Sequence, residues 1–338
     1  MANERSVATH PPARRGGATV SRGQWIALAL VLAAACVLPF VVTNYRVFQF
    51  TLALVYAIAL LGLNMLTGFN GQISLGHGAF YAIGAYVAAI LMDKVGLPYW
   101  ATVPAAGAVC LVAGFLFGLP ALRLEGLYLA LATFALGVAM PQLLKYKGLE
   151  DWTGGVQGIV ITKPDPPAWT GLSQDQWLYF VVLAVLVGLF AIGWNLLRGR
   201  MGQAMVAIRD QPIAASAMGV NTAMVKSLTF GVSAMYTGIA GALGAIVVQF
   251  VAPDSFTIFL SITLVVGVVI GGLASISGAL YGALFIQFIP NLADDISKAA
   301  PWAIYGAFLI LFMYVMPTGV AGFLRIAIGR LRRRRDPG

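Results

Sequence analysis

From Leu63 to Tyr81 the chain reads Leu-Asn-Met-Leu-Thr-Gly-Phe-Asn-Gly-Gln-Ile-Ser-Leu-Gly-His-Gly-Ala-Phe-Tyr. Six polar side chains, Asn64, Thr67, Asn70, Gln72, Ser74 and His77, crowd between two apolar runs. Amides, hydroxyls and one imidazole can orient a solute or hand on a proton, but none carries a fixed charge. Gly68, Gly71, Gly76 and Gly78 make a break in the helix easy here. Broken, polar, glycine-rich stretches inside apolar sequence are where a solute path can run. These six residues are therefore the candidate pathway set. The plain alternative is a tight cytoplasmic turn in which Asn70 or Ser74 caps the next helix. His77 reads more readily as a structural hydrogen-bonder than as a proton relay, because no second ionisable group is placed within the apolar runs to pair with it.

The elements around this stretch are set by composition. The chain has 338 residues, 60% hydrophobic and 10% charged, where a soluble domain carries about 25% charged residues. Successive long apolar runs predict an all-α polytopic membrane protein, since an unbroken run does not alternate as a barrel strand must. Ten spans are expected, over 25–43, 48–67, 73–92, 99–121, 127–144, 177–197, 228–250, 257–273, 277–290 and 302–317. The ninth is short and needs extension into Asn291–Ala293. Cys36 and Cys110 fall in apolar runs and read as packing residues. Trp25–Thr43 reads as a retained span, because Cys36 is followed by further apolar sequence and preceded three residues earlier by Ala33. Glycines within 228–250 and 257–273, such as Gly238 and Gly267, read as close helix packing.

With ten spans both tails share a side. Of the 21 basic residues, fifteen fall on that side and six on the other, while the 12 acidic residues split four and eight. Basic residues collect on the cytoplasmic side, so the tails (1–23 and 321–338) and the interior segment 198–226 are expected in the cytoplasm, with the transmembrane domain over 24–320. The net charge of +9 is explained by that bias without nucleic acid. On the opposite side lies one long connection, Lys145–Gln176, with Trp152, Thr153, Gly154 and Gly155 near its start. Loops of that length often carry function, although Trp152 and Trp169 also suit interfacial anchoring.

Catalytic and energy-coupling patterns are missing. There is no paired set of carboxylates within the spans, no G-x-S-x-G, no H-x-x-x-H and no G-x-x-x-x-G-K-[ST] phosphate loop. Charges that ion-coupled carriers and channels use are also missing from mid-span. A chain that moves a solute without such groups must borrow its energy.

The segment Arg200-Met-Gly-Gln-Ala-Met-Val-Ala-Ile-Arg-Asp-Gln-Pro-Ile-Ala-Ala-Ser-Ala-Met-Gly-Val220 resembles the cytoplasmic coupling segment of ABC-importer permeases of the branched-chain amino-acid (LivM-type) family. Leu63–Tyr81, Gly118–Ala130, Thr153–Ile159, Ser255-Phe256, Gly271–Gly278 and Met316–Val320 fit the same family in the same order, over roughly residues 45–325. The resemblance implies a non-catalytic subunit with no cofactor of its own. It also implies a homologous permease partner, two cytoplasmic ATPases that bind and hydrolyse ATP, an extracytoplasmic solute-binding protein, and a bacterial inner membrane. Contact with an ATPase then falls on Ala207, Ile208, Arg209, Asp210, Ile213, Ala214, Ala215, Ser216, Met218 and Gly219. In that stretch Asp210 suits an N-cap, Gln211 and Pro212 a first turn and Gly219 a stop. The chain departs from the family at Ser216, where an acidic residue is common; the Arg209–Asp210 pair is the substitute charge. Docking of the binding protein falls on Trp152, Thr153, Gly154 and Gly155. A branched-chain amino acid is the expected solute, with urea and short amides as alternatives within the family. Outside it, an ATP-independent carrier would need charges within its spans, and a membrane enzyme a polar cluster facing a path.

Overall fold

A computed structural model describes residues 22–335 apart from 123, 125, 297 and 299. The expected N-terminal tail lies outside the described residues up to position 21. The chain divides into two units, Met1–Val42 and Thr43–Gly338. In the first unit the described part is α1 (Arg22–Val41), with Pro39 in its last turn and Cys36 exposed.

The second unit is helical. It begins with α2 (Asn44–Asn64), which widens into a π-helical turn over Met65–Phe69, followed by α3 (His77–Asp93), α4 (Tyr99–Ala121) and α5 (Leu127–Leu144). A single turn, α6 (Glu150–Thr153), precedes α7 (Gln174–Arg198), α8 (Arg200–Asp210), α9 (Pro212–Ala217) and α10 (Thr222–Val248). The chain then forms α11 (Ile258–Gly271), α12 (Ile276–Ile296), α13 (Pro301–Val315) and α14 (Gly319–Arg335). Among the described residues the strands are two short ones, β1 (Ile159–Val160) and β2 (Phe250–Val251), paired antiparallel.

Each expected span falls on a helix. Among the described residues eight helical stretches are long and apolar enough to cross a membrane, and two further apolar helices, Ala29–Val41 and His77–Asp93, are shorter. The short ninth run is extended as it had to be: α12 continues past Asn291–Ala293 to Ile296. The sequence after residue 320 continues as helix α14 through Arg335.

Within the second unit α10 is the central post. Of its apolar window 83% is buried, against 11% for the stretch Ala303–Ala327. Its glycines explain how neighbours come so near. A Cβ on Gly84 of α3 would strike the backbone of Gly238, and Gly238 itself faces the side chain of Cys110 on α4. Gly241 lies against the Tyr81 carbonyl. Small residues let backbones approach to where dispersion is strongest, which in lipid replaces the missing hydrophobic drive. Phe230 on α10 fills the space beyond, its ring 5.8 Å from Phe80 and 5.5 Å from Phe117. The Tyr236 hydroxyl donates to the Leu189 carbonyl at 2.8 Å and ties α10 to α7.

A larger side chain at Gly84 must separate α3 from α10. Gly84→Val is expected to lower the detergent unfolding midpoint by several degrees, in line with an overpacking cost of about 1–3 kcal/mol. Gly188→Val, where an added Cβ meets no atom within 4 Å, is expected to leave the midpoint within error.

Candidate functional site

The stretch Leu63–Tyr81 is a broken helix. After Asn64 the ladder loosens: the Asn70 amide reaches the Met65 carbonyl at 3.2 Å and the Gln72 amide the Leu66 carbonyl at 3.1 Å. π-Turns of this kind are rare and concentrate at functional positions. Gly71 then adopts φ +73°, a left-handed conformation that favours glycine. From there the chain runs non-helically to Gly76, and helix resumes at His77.

The depth of the break follows from its neighbours. The Leu75 amide donates to Thr133 Oγ1 at 2.9 Å, and the Leu75 carbonyl lies 3.2 Å from where a Cβ on Gly137 would sit. Thr133 and Gly137 occupy the middle of α5, a helix of 18 residues and so about 27 Å long. Non-helical backbone therefore sits near half the height of a span-length helix.

At that depth water is not available to most backbone groups, so side chains must meet them. The Gly78 amide, at the start of α3, donates to Ser261 Oγ of α11 at 2.9 Å. Thr67 Oγ1 donates to the Gln72 carbonyl at 3.1 Å, and Asn70 Nδ2 donates to Gln72 Oε1 at 2.8 Å. Asn64 reaches across to the turn between α11 and α12: its Nδ2 donates to the Ser275 carbonyl at 2.8 Å, and its Oδ1 accepts from the Ala274 amide at 2.9 Å. The cap expected from Asn70 or Ser74 is not formed. The N-cap position of α3 is Gly76, without a side-chain cap bond; Ser74 Oγ, two residues earlier, accepts from the Gly76 amide at 3.4 Å and lies 2.8 Å from His77 Nδ1.

His77 closes a chain of bonds. Its Nδ1 lies 2.8 Å from Ser74 Oγ and its Nε2 2.7 Å from Ser233 Oγ. Ser233 donates its one proton to the Gly62 carbonyl at 2.6 Å. Hydrogen-bond accounting then assigns the proton of a neutral ring to Nε2, with Nδ1 accepting from Ser74. The chain ends at a backbone carbonyl, so it has no onward acceptor for a relayed proton. Five of the six candidate pathway residues are buried, Thr67 is half-buried, and each has a partner within the chain.

The candidate coupling segment forms two helices. Gln211 takes φ −153° and ψ 87°, and Pro212 opens α9. A proline disfavours helical backbone in the residue before it, so α8 stops at Asp210. Asp210 thus ends a helix, and the N-cap position belongs to Gln211. Gly219, at φ +83°, stands just beyond the last turn, as expected. Ile208 and Ala215 face inward, while Ala207, Asp210, Ala214, Ser216 and Gly219 are exposed. Ile213 and Met218 are 84% and 85% exposed. Ser216 Oγ donates to the Ile213 carbonyl at 2.8 Å.

Arg209 links this segment to the break. Its Nη1 donates to the Gly68 carbonyl at 2.9 Å, and its Nε donates to Asp210 Oδ1 at 2.9 Å. A Cβ on Gly71 would lie 2.8 Å from Arg209 Cγ. Part of the charge expected to face outward is therefore spent on a carbonyl in the last turn before the break.

At the other end of α10 the long connection is well tied. β1 joins β2, and the Ile161 amide donates to the Gln249 carbonyl at 2.8 Å. Lys145 pairs with Asp254, and Lys163 with Asp175, each at 2.5 Å. Thr153 is buried and donates to the Leu144 carbonyl at 2.9 Å. Gly155 is also buried and Gly154 half-buried, so Trp152, 56% exposed, is the member of that group that presents a side chain outward.

Thr133, Ser233 and Ser261, which complete the break, were not singled out by sequence. A signal existed: Thr229, Ser233 and Thr237 repeat every fourth residue of α10, and all three are fully buried. Hydroxyls on one stripe of an apolar helix face the bundle interior.

Comparison with known proteins agrees with this architecture. Residues 45–317 match the family described as the branched-chain amino acid transport system permease component. The high-affinity branched-chain amino acid transport system permease protein LivM of Escherichia coli K12 is 35% identical over 91% of this chain and 77% of its own length. LivM of Salmonella typhimurium is 34% identical over the same shares. LivH of Salmonella typhimurium, another permease of that name class, is 25% identical over 80% of this chain and 92% of its own. No solved structure matches. The chain therefore belongs to the family of branched-chain amino acid ABC transport permeases, non-catalytic multi-pass membrane subunits.

Proposed function

We propose that this chain forms, with a homologous permease of the LivH kind, the membrane path of an ABC importer for a branched-chain amino acid. Two cytoplasmic ATPases and an extracytoplasmic binding protein complete it, and the chain itself needs no cofactor. The charge bias places both termini and α8–α9 in the cytoplasm of a bacterial inner membrane. The broken segment with Asn64, Thr67, Asn70, Gln72, Ser74 and His77 borders the path. The side chains of these residues hold its backbone in position. The tied connection carrying Trp152 receives the binding protein.

One observation carries the coupling part of this reading. α9 exposes Ile213 and Met218 almost fully, while Arg209 of the adjoining α8 holds the Gly68 carbonyl of the broken helix. An ATPase seated on Ile213 and Met218 is thereby one side chain away from the break. ATP shifts the transporter between two states only to the extent that this seat differs between them.

Reconstituted with its partner subunits, the chain is expected to support leucine or valine uptake only when ATP is supplied. An imposed proton gradient without ATP should give none. Uptake without ATP would remove the ABC reading, and preference for urea or amides would move the substrate class.

Two substitutions separate seat from link. Ile213→Asp with Met218→Asp should abolish copurification of the ATPases. Arg209→Met should leave the complex assembled but lower the solute imported per ATP hydrolysed by about tenfold, within the usual range of coupling between sites. Unchanged coupling in Arg209→Met would remove Arg209 from the mechanism.

A further inference from the structure

The side chains of the broken segment alternate. Gln72, Ser74 and Gly76 point into the chain, whereas Gly71 and Ile73 are exposed and Leu75 is half-buried. Ile73 is 50% exposed. This outward row is unusual because of where it lies. Leu75 is fastened to the middle of α5 through Thr133, and Gly78, just after the row, is fastened to α11 through Ser261. The row is thus exposed non-helical backbone that runs from Arg209 of α8 at Gly71 to the middle of α5 at Leu75, and such backbone at membrane depth does not face lipid, whose chains cannot hydrogen-bond it.

We infer that the row Gly71, Ile73 and Leu75 lines the water-filled solute path between this chain and the second permease. The inference rests on the importer reading and deepens it by naming the residues that face the solute. α5 and α11, which hold the segment from either side, expose apolar residues such as Phe134 and Phe259. These suit lipid or a second helical subunit. Between them the segment offers peptide groups, which water or a polar solute can satisfy, and one aliphatic side chain. That combination matches an α-amino acid with an aliphatic side chain: polar at one end, apolar at the other. Apart from Asn70 Oδ1, which is buried without a partner, the polar side chains of the segment are engaged by internal bonds, so they shape the row from behind.

The test uses the whole importer in proteoliposomes, with Cys36→Ala and Cys110→Ala as background. Single cysteines are introduced as Ile73→Cys, Leu75→Cys and, for comparison, Ile192→Cys on α7, a residue 58% exposed on a continuous helix. A water-soluble, charged methanethiosulfonate reagent should label Ile73→Cys at least about tenfold faster than Ile192→Cys, since only a wetted thiol ionises and reacts. Leucine with its binding protein and ATP should slow that labelling, and labelling should block uptake. Leu75→Cys should show the same pattern more weakly. Labelling of Ile73→Cys no faster than Ile192→Cys, with or without cross-linking to the partner permease, would overturn the assignment. So would fast labelling that leucine transport leaves unchanged. Loss of ATP-driven uptake in the background complex itself would instead count against the importer reading.

Discussion

Backbone in a membrane cannot be left unpaired. Most of this chain meets that constraint by remaining helical, but residues 70–76 do not, and their last two, Leu75 and Gly76, lie beside the centre of α5. An unsatisfied amide or carbonyl there costs about 1–3 kcal/mol or more. The surrounding helices therefore carry hydroxyls at the needed points: Thr133 for Leu75, Ser261 for Gly78, Ser233 for His77. The glycines of α10 bring α3 and α4 close enough for this arrangement to hold. The break explains the polar side chains in an otherwise apolar sequence, and the packing of α10 explains why the break is rigid.

The break is also where three parts of the chain meet. Asn64 joins it to the turn between α11 and α12, and Arg209 joins it to α8. The second of these contacts is possible because the helix ends at Phe69, leaving the Gly68 carbonyl in its last turn without a helical partner, and because Gly71 has no side chain to obstruct Arg209. A movement at α9 thus has a short route to membrane depth through neighbours that touch directly. Such a route needs no long-range pathway of coupled residues; it needs only that Arg209 keep its grip in one state and change it in the other.

Much of this was legible in the sequence. Apolar run lengths locate the helices, and the polar, glycine-rich cluster at 64–77 marks a stretch where a helix breaks easily. Gly219 announced the end of α9. What was not legible depended on distance in sequence. Ser233 and Ser261 lie 156 and 183 residues from their partners, so no local pattern pairs them. Arg209 looks like an outward charge on a basic segment, and only the fold shows that it turns to a carbonyl 141 residues away. Asp210 was misplaced for a local reason: the restriction that Pro212 imposes on Gln211 outweighs the capping preference of aspartate.

The central claim is that the break is a hydrogen-bonded, rigid element and not a loose loop. Hydrogen exchange of the peptide covering residues 70–80, measured in the assembled transporter without nucleotide, tests it most directly. Exchange well slower than in the exposed connection around residues 166–172, though faster than in α2 and α10, is the predicted result. Exchange as fast as in the exposed connection around residues 166–172 would contradict it.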